Sequence, residues 1–197
     1  MSNFDLVIRN GTVATAADTF QADVGVKDGR IVALGENLDQ NGNGGAQVID
    51  AAGKLVLPGG VEGHCHIEQI SSSGVMTADD FYSGTVSAVF GGTTTVIPFA
   101  AQQKGDSLRQ TVEAYHACAG PKAVIDYGFH LIISDPSEQV IGQELPALIK
   151  DGYTSFKVYM TYDDLRLDDY QMLDVLSAAR REGAMVMVHA ENHDMIR

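Results

Sequence analysis

The chain has 197 residues, 45% of them apolar, a globular composition with enough length to bury a sizeable core. A formal net charge of −13 excludes the basic face that a nucleic-acid backbone partner needs, and no apolar run is long enough to span a bilayer. Two cysteines, Cys65 and Cys118, make no disulfide framework, and the opening Met-Ser-Asn-Phe-Asp has neither the basic region nor the apolar stretch of a signal peptide, so a cytoplasmic location is expected.

Residues 1–54 read as short strands. Residues 22–27 and 30–34 flank Asp28-Gly29, a hairpin signal because both turn positions tolerate positive φ. Residues 39–45 hold no apolar residue that could anchor a core and are expected to form a loop. From residue 55 the pattern changes to strand and helix in alternation. The candidate strands are 54–61, 93–99, 124–133, 154–160 and 184–189. They are nearly continuous apolar runs, as expected of parallel strands covered on both faces. Between them, a helix follows Thr77-x-x-Asp80 and stops at Gly91-Gly92. A second runs over 107–119 with Leu108, Thr111, Val112, Tyr115 and Ala119 on one stripe. A third lies around 146–150. The fourth starts at Asp168, with Gln171 as its capping-box partner, a stripe of Met172, Val175, Leu176 and Ala179, and Gly183 as C-cap. Short strand–helix alternation means parallel βα units. Five such strands are too few to close an eight-stranded barrel.

The chemistry collects at strand ends. The run Lys54-Leu-Val-Leu-Pro-Gly-Gly-Val-Glu-Gly63 leads into His64-Cys65-His66. In an extended strand His64 and His66 share one face and Cys65 takes the other. Two imidazoles on one face can grip a metal ion. Lys157 lies near the end of the fourth candidate strand and His189 ends the fifth. Catalytic groups of a βα barrel sit at the C-terminal ends of its strands, so these four side chains can converge on one mouth. The bland alternatives are rim histidines bonded to backbone and a snorkelling lysine. Cys65 reads as a small core hydrophobe. His116, His130 and His193 read as structural, and Asp163-Asp164 and Asp168-Asp169 as helix-start charges.

Several independent motifs carry a resemblance. They are Asp5-Leu-Val-Ile-Arg-Asn-Gly-Thr12, Asp28-Gly-Arg-Ile-Val-Ala-Leu-Gly35, Val48-Ile-Asp-Ala-Ala-Gly-Lys54, Leu57-Pro-Gly-Gly-Val-Glu-Gly-His-Cys-His66, Gly91-Gly-Thr-Thr-Thr-Val-Ile-Pro98, Ser155-Phe-Lys-Val-Tyr-Met-Thr-Tyr162 and His189-Ala-Glu-Asn192. In order and spacing the chain resembles the first two-fifths of the dihydropyrimidinase/hydantoinase branch of the metal-dependent amidohydrolases. The resemblance implies an α/β fold: the N-terminal part of a (β/α)8 TIM-like barrel, truncated after about five strands, over residues 55–197. It would be preceded over residues 1–54 by a share of a composite β-sandwich.

The resemblance also implies the chemistry. His64 and His66 would hold one divalent ion and His189 a second, zinc in most relatives. Lys157 would bridge them as a carbon dioxide-derived carbamate, since a protonated lysine has no lone pair to offer a metal. Tyr162 would donate to the oxyanion formed when a dihydropyrimidine or hydantoin ring opens to an N-carbamoyl amino acid. A further His and an Asp would lie beyond residue 197, so these 197 residues are expected to be inactive without a complementary C-terminal segment. A homo-oligomer acting on a small cyclic amide is implied. One departure stands out: Glu62-Gly-His-Cys-His66 replaces the family's Asp-x-His-x-His. The competing readings are a non-catalytic assembly module that resembles dihydropyrimidinase, or a related allantoinase or dihydroorotase.

Overall fold

Asp28 and Gly29 both take positive φ, +48° and +72°, and close the hairpin that their residue types favour. A computed structural model describes residues 4–38, 45–71 and 74–196 of the chain, so the expected loop at 39–45 lies, apart from Gly45, outside the described residues. By internal contacts the chain divides into two units, Met1–Pro58 and Gly59–Arg197.

Among its described residues the regular elements of the first unit are all strands: β1 (Leu6–Arg9), β2 (Thr12–Ala14), β3 (Thr19–Gln21), β4 (Asp23–Lys27), β5 (Arg30–Gly35), β6 (Gln47–Asp50) and β7 (Leu55–Val56). They form one sheet in the order β5-β4-β1-β6 and another in the order β3-β2-β7. Val7, Val13, Val24 and Ala51 are buried, but Ile31, Leu34, Val48 and Leu55 stay exposed. This unit leaves much of its apolar surface in water.

The second unit alternates strand and helix: β8 (Gly60–Cys65), α1 (Phe81–Phe90), β9 (Thr93–Ala101), α2 (Leu108–Ala119), β10 (Asp126–Tyr127), β11 (His130–Ile132), α3 (Leu145–Lys150), β12 (Ser155–Tyr159), α4 (Asp169–Glu182), β13 (Met185–His189) and α5 (His193–Ile196). Both β10 and β11 pair with β9 in parallel, Asp126 opposite Thr95 and His130 opposite Phe99, so they are two halves of one strand. With β8 on the other edge of β9, and β12 and β13 continuing the series, all pairings are parallel. These are five consecutive strands of a (β/α)8 barrel.

The helices end where their residues dictate. Asp168 accepts from the Gln171 backbone N–H while Gln171 returns the bond to the Asp168 N–H, and Gly183 closes α4 at φ +78°. Ser107 caps α2, and α1 starts from Asp80, three residues after Thr77. Three expectations need correction. The 54–61 run is not one strand: Leu55–Val56 pairs with β2 and the barrel strand begins at Gly60. Pro58 supplies no N–H to a ladder, and Gly59 lies so close to Thr94 that a Cβ there would clash. The third helical stretch begins earlier than 146, with a wide π turn at Val140–Glu144 leading into α3. On α4, Ala178 is buried while Leu176 is 38% exposed.

The expected covering of both strand faces holds for the middle of the sheet. At its two edges, Val61 on β8 and Met185 on β13 are exposed. Between the sheet and its helices lies the main core, which includes Phe81, Leu108, Leu131, Phe156, Val158 and Val175. A second, smaller cluster of Phe99, Ile132 and Tyr159 lies on the other face.

Candidate active site

Strand alternation decides which side chains reach this inner face. On β12, Phe156 and Val158 join the helix-side core, whereas Tyr159, two residues after Lys157, belongs to the inner cluster. On β11, Leu131 faces the helices and Ile132 the inside. On β8, Cys65 packs against the helix-side core, where burial pushes its thiol up to about 11, and the rings of His64 and His66 meet Phe99. The pairing register then aligns the strand ends: Ile132 opposite Lys157, Lys157 opposite Met187, Tyr159 opposite His189.

The candidate residues join in one chain of contacts. The His64 and His66 ring centres are 6.0 Å apart and lie 4.9 and 5.1 Å from Phe99. Lys157 is buried, with Nζ 6.0 Å from the Phe99 ring centre and 5.3 Å from that of Tyr159. Tyr159 stacks on His189 at 5.4 Å. The rings of Phe99 and Tyr159 flank the Lys157 side chain. Burial holds the Tyr159 phenol above its usual range.

The imidazoles are oriented by their neighbours. His66 Nδ1 donates to Gln69 Oε1 at 2.5 Å, and His189 Nε2 donates to Glu191 Oε2 at 2.6 Å. Each bond fixes a tautomer, leaving the lone pair of His66 on Nε2 and that of His189 on Nδ1. Glu62, the departure from the expected aspartate, accepts from the His64 backbone N–H at 2.8 Å. His130 Nε2 donates to the Gly63 carbonyl at 3.0 Å and Nδ1 meets Ser155 Oγ at 2.5 Å, tying β8 to β12 one residue before His64. Burial depresses the pKa of His130 and so favours the neutral ring, whose Nδ1 then accepts from the Ser155 hydroxyl.

Tyr162 follows β12 at φ +69°, a left-handed conformation uncommon outside glycine. Its ring centre is 5.2 Å from His189 and 6.0 Å from Tyr159. Both tyrosines, with His66, Gln69, Ile132 and Asp164, line a cavity of about 810 Å³ at the strand ends. That volume suits a small cyclic molecule with a substituent.

Among the described residues, no three His, Cys, Asp or Glu side chains form a metal cage. The donor set is of another kind: His64 at the end of β8 and His66 just past it, His189 from β13, and the buried amine of Lys157. It fits divalent ions if the amine is converted to an anionic oxygen donor. Asp163 and Asp164 require a correction. They lie in the turn after Tyr162, Asp164 at the cavity rim, while Asp168 and Asp169 do start α4. Phe99, Tyr159, Gln69 and Glu191 escaped the sequence reading. Tyr159 had a signal, since two residues after Lys157 on one strand is the same face. Gln69 and Glu191 had none beyond coming just after the histidines that they orient.

A sequence profile of the Amidohydrolase family matches residues 55–197. A D-hydantoinase of Geobacillus stearothermophilus is 49% identical over 192 residues, covering 96% of this chain and 40% of the relative. A dihydropyrimidinase of Rattus norvegicus is 43% identical over 195 residues, covering 97% and 37%. Among solved structures, the dihydropyrimidinase of Brevibacillus agri NCHU1002 superposes with a TM-score of 0.89 at 44% identity, covering 95% of this chain and 40% of that one. The chain spans about two-fifths of the length of the relatives it matches.

Proposed function

Because the chain belongs to the amidohydrolase family, we propose that its inner strand ends form part of a two-metal site for opening a cyclic amide, a dihydropyrimidine or hydantoin, to an N-carbamoyl amino acid. The observation that carries this reading is the contact chain from His64 and His66 through Phe99, Lys157 and Tyr159 to His189. Five of those six side chains come from four strands, His66 follows directly on β8, and they meet on one face. In this reading His64 and His66 would hold one divalent ion and His189 another, and a carbon dioxide-derived carbamate on Lys157 would supply anionic oxygen donors to them, with zinc as the ion. When bound, such ions lower the pKa of a water and polarise a carbonyl oxygen at neutral pH.

This chain's own residues do the rest. Gln69 and Glu191 keep each imidazole lone pair turned away from its hydrogen-bonded edge. Phe99 and Tyr159 wall the lysine from bulk water. The Tyr162 phenol donates a hydrogen bond to the carbonyl oxygen as negative charge develops on it, a contribution worth roughly 2.7–4 kcal/mol for a single donor in a preorganised site. Water adds to the ring carbonyl carbon, the ring C–N bond breaks, and the departing nitrogen takes a proton.

The activity is proposed for a closed barrel, with three more strands beside these five, and not for residues 1–197 alone. A complementary C-terminal segment is the proposed source of those strands. The first unit, read from sequence as residues 1–54, is proposed as a share of a larger β-sandwich; exposed Ile31, Leu34 and Val48 support a partner layer there. A cytoplasmic homo-oligomer completes the reading. No helix among the described residues is long and apolar enough to cross a membrane. The decisive assay measures N-carbamoyl product from hydantoin and dihydrouracil before and after chelation and metal re-addition, with His64→Ala beside the parent. Loss on chelation and in the variant is expected. Turnover indifferent to both would overturn the proposal.

A further inference from the structure

His193 opens α5, four residues past His189, and its side chain is 10% exposed. Its Nδ1 is hydrogen-bonded to the Thr161 hydroxyl at 3.2 Å, and Thr161 is itself buried. Its Nε2 is buried, makes no hydrogen bond among the described residues, and faces Asp163 Oδ1 at 3.5 Å. Thr161 and Asp163 are the two neighbours of Tyr162. The imidazole therefore touches the chain on both sides of the residue that holds φ +69°.

Other contacts brace the same turn. The Tyr162 carbonyl accepts from the N–H groups of Leu165 and Arg166, at 2.9 and 2.8 Å, and Lys104 Nζ donates to the Asp163 carbonyl at 3.0 Å. These bonds fix the chain on the C-terminal side of Tyr162. Among the described residues, His193 is the side chain that also bonds to its N-terminal neighbour, Thr161. A left-handed tyrosine persists where its surroundings over-determine it. Released, the residue relaxes toward negative φ and swings the phenol away from His189.

We propose that His193 is a positioning residue: it clamps Thr161 and Asp163 and so holds Tyr162 in the left-handed conformation that aims its phenol over the strand ends. For its effect on catalysis the inference rests on the role proposed above for Tyr162. For its effect on conformation it does not.

The test is therefore conformational first. 3-Fluorotyrosine is installed at Tyr162 of the 197-residue chain and read by fluorine NMR, with a second sample labelled at the exposed Tyr170 of α4 as a reference for the fold. The parent gives one sharp Tyr162 signal. His193→Ala broadens, moves or splits that signal and leaves Tyr170 unchanged. His193→Asn, which can still meet the Thr161 hydroxyl, restores it in large part. If His193→Ala disturbs Tyr170 as well, Thr161→Val decides, because it removes the same bond from the other side without changing volume. A Tyr162 signal unmoved in His193→Ala, or unmoved in Thr161→Val where that variant decides, overturns the proposal.

In a ring-opening protein that carries this segment, His193→Ala lowers kcat on the order of 10–100-fold with KM little changed, as misplacement of a reacting group does. If the fluorine signal responds and Tyr162→Phe turns over normally, the positioning stands and the catalytic role of Tyr162 falls. If Tyr162→Phe loses turnover and the signal is indifferent to His193, the role stands and the positioning falls.

Discussion

The two faces of the parallel sheet are made from alternate residues of the same strands, yet they do different work. Toward the helices, Leu131, Phe156 and Val158 are fully buried among other apolar side chains. Toward the inside, His130, Lys157 and Tyr159 are also buried, at 7%, 8% and 9% exposure, but they carry polar atoms. Burial on the first face removes hydrocarbon from water and supplies stability. Burial on the second holds groups that water would otherwise solvate, and it sets their orientation and reactivity. Equal exposure therefore does not mean equal function; the parity of the residue in its strand separates the two.

The largest expected effect is on the inner face. In a ring-opening protein that carries this site, Lys157→Ala should abolish metal-dependent turnover. The loss should exceed the 10–100-fold typical of removing a residue that merely orients a ligand. A short carboxylic acid added to the buffer should restore part of it, and the urea midpoint should move little. Full activity without added acid would break the comparison at its most important point.

The adjacent outer residue should behave in the opposite way. Phe156→Ala removes a fully buried ring and should cost about 3–5 kcal/mol of stability, read from urea unfolding of the 197-residue chain. A cost under about 1 kcal/mol would mean that the helix-side core is loosely packed.

Cys65 sharpens the contrast within a single strand, since it faces the helices between two histidines that face inward. With its thiol pushed up to about 11 by burial, its thiolate becomes abundant only near that pH and falls away below it. Exposed Cys118 should react with a thiol reagent at pH 8 on the order of a hundredfold faster. Two equally fast thiols would show that β8 does not keep its alternation in solution. The smallest effect concerns the layer that covers the outer face: Asp168→Ala should cost about 1 kcal/mol by uncapping α4, without altering the reactivity of either cysteine.

Much of this division was legible in the residues. The hairpin at Asp28-Gly29, the capping box of Asp168 and Gln171, and the shared face of His64 and His66 are local rules, and each is written in neighbouring positions. What was hidden is non-local or unsignalled. The break at Pro58 and Gly59 depends on Thr94, some 35 residues away, and on which sheet captures β7. The bonds from His130 to Gly63 and Ser155 span three strands, so no window of sequence contains them. His193 read as one more structural histidine because its partners, Thr161 and Asp163, lie in another loop.

The alternation on β8 also bears on how this protein can change over generations. A substitution at Cys65 alters one contact under the helices and leaves its flanking imidazoles in place. β8 already absorbs register shifts against β9 at Gly60/Val61 and between Glu62 and Cys65, but a residue inserted or deleted between His64 and His66 takes the two imidazoles off their shared face. The spacing of His64 and His66 is therefore harder to alter than the identity of the residue between them.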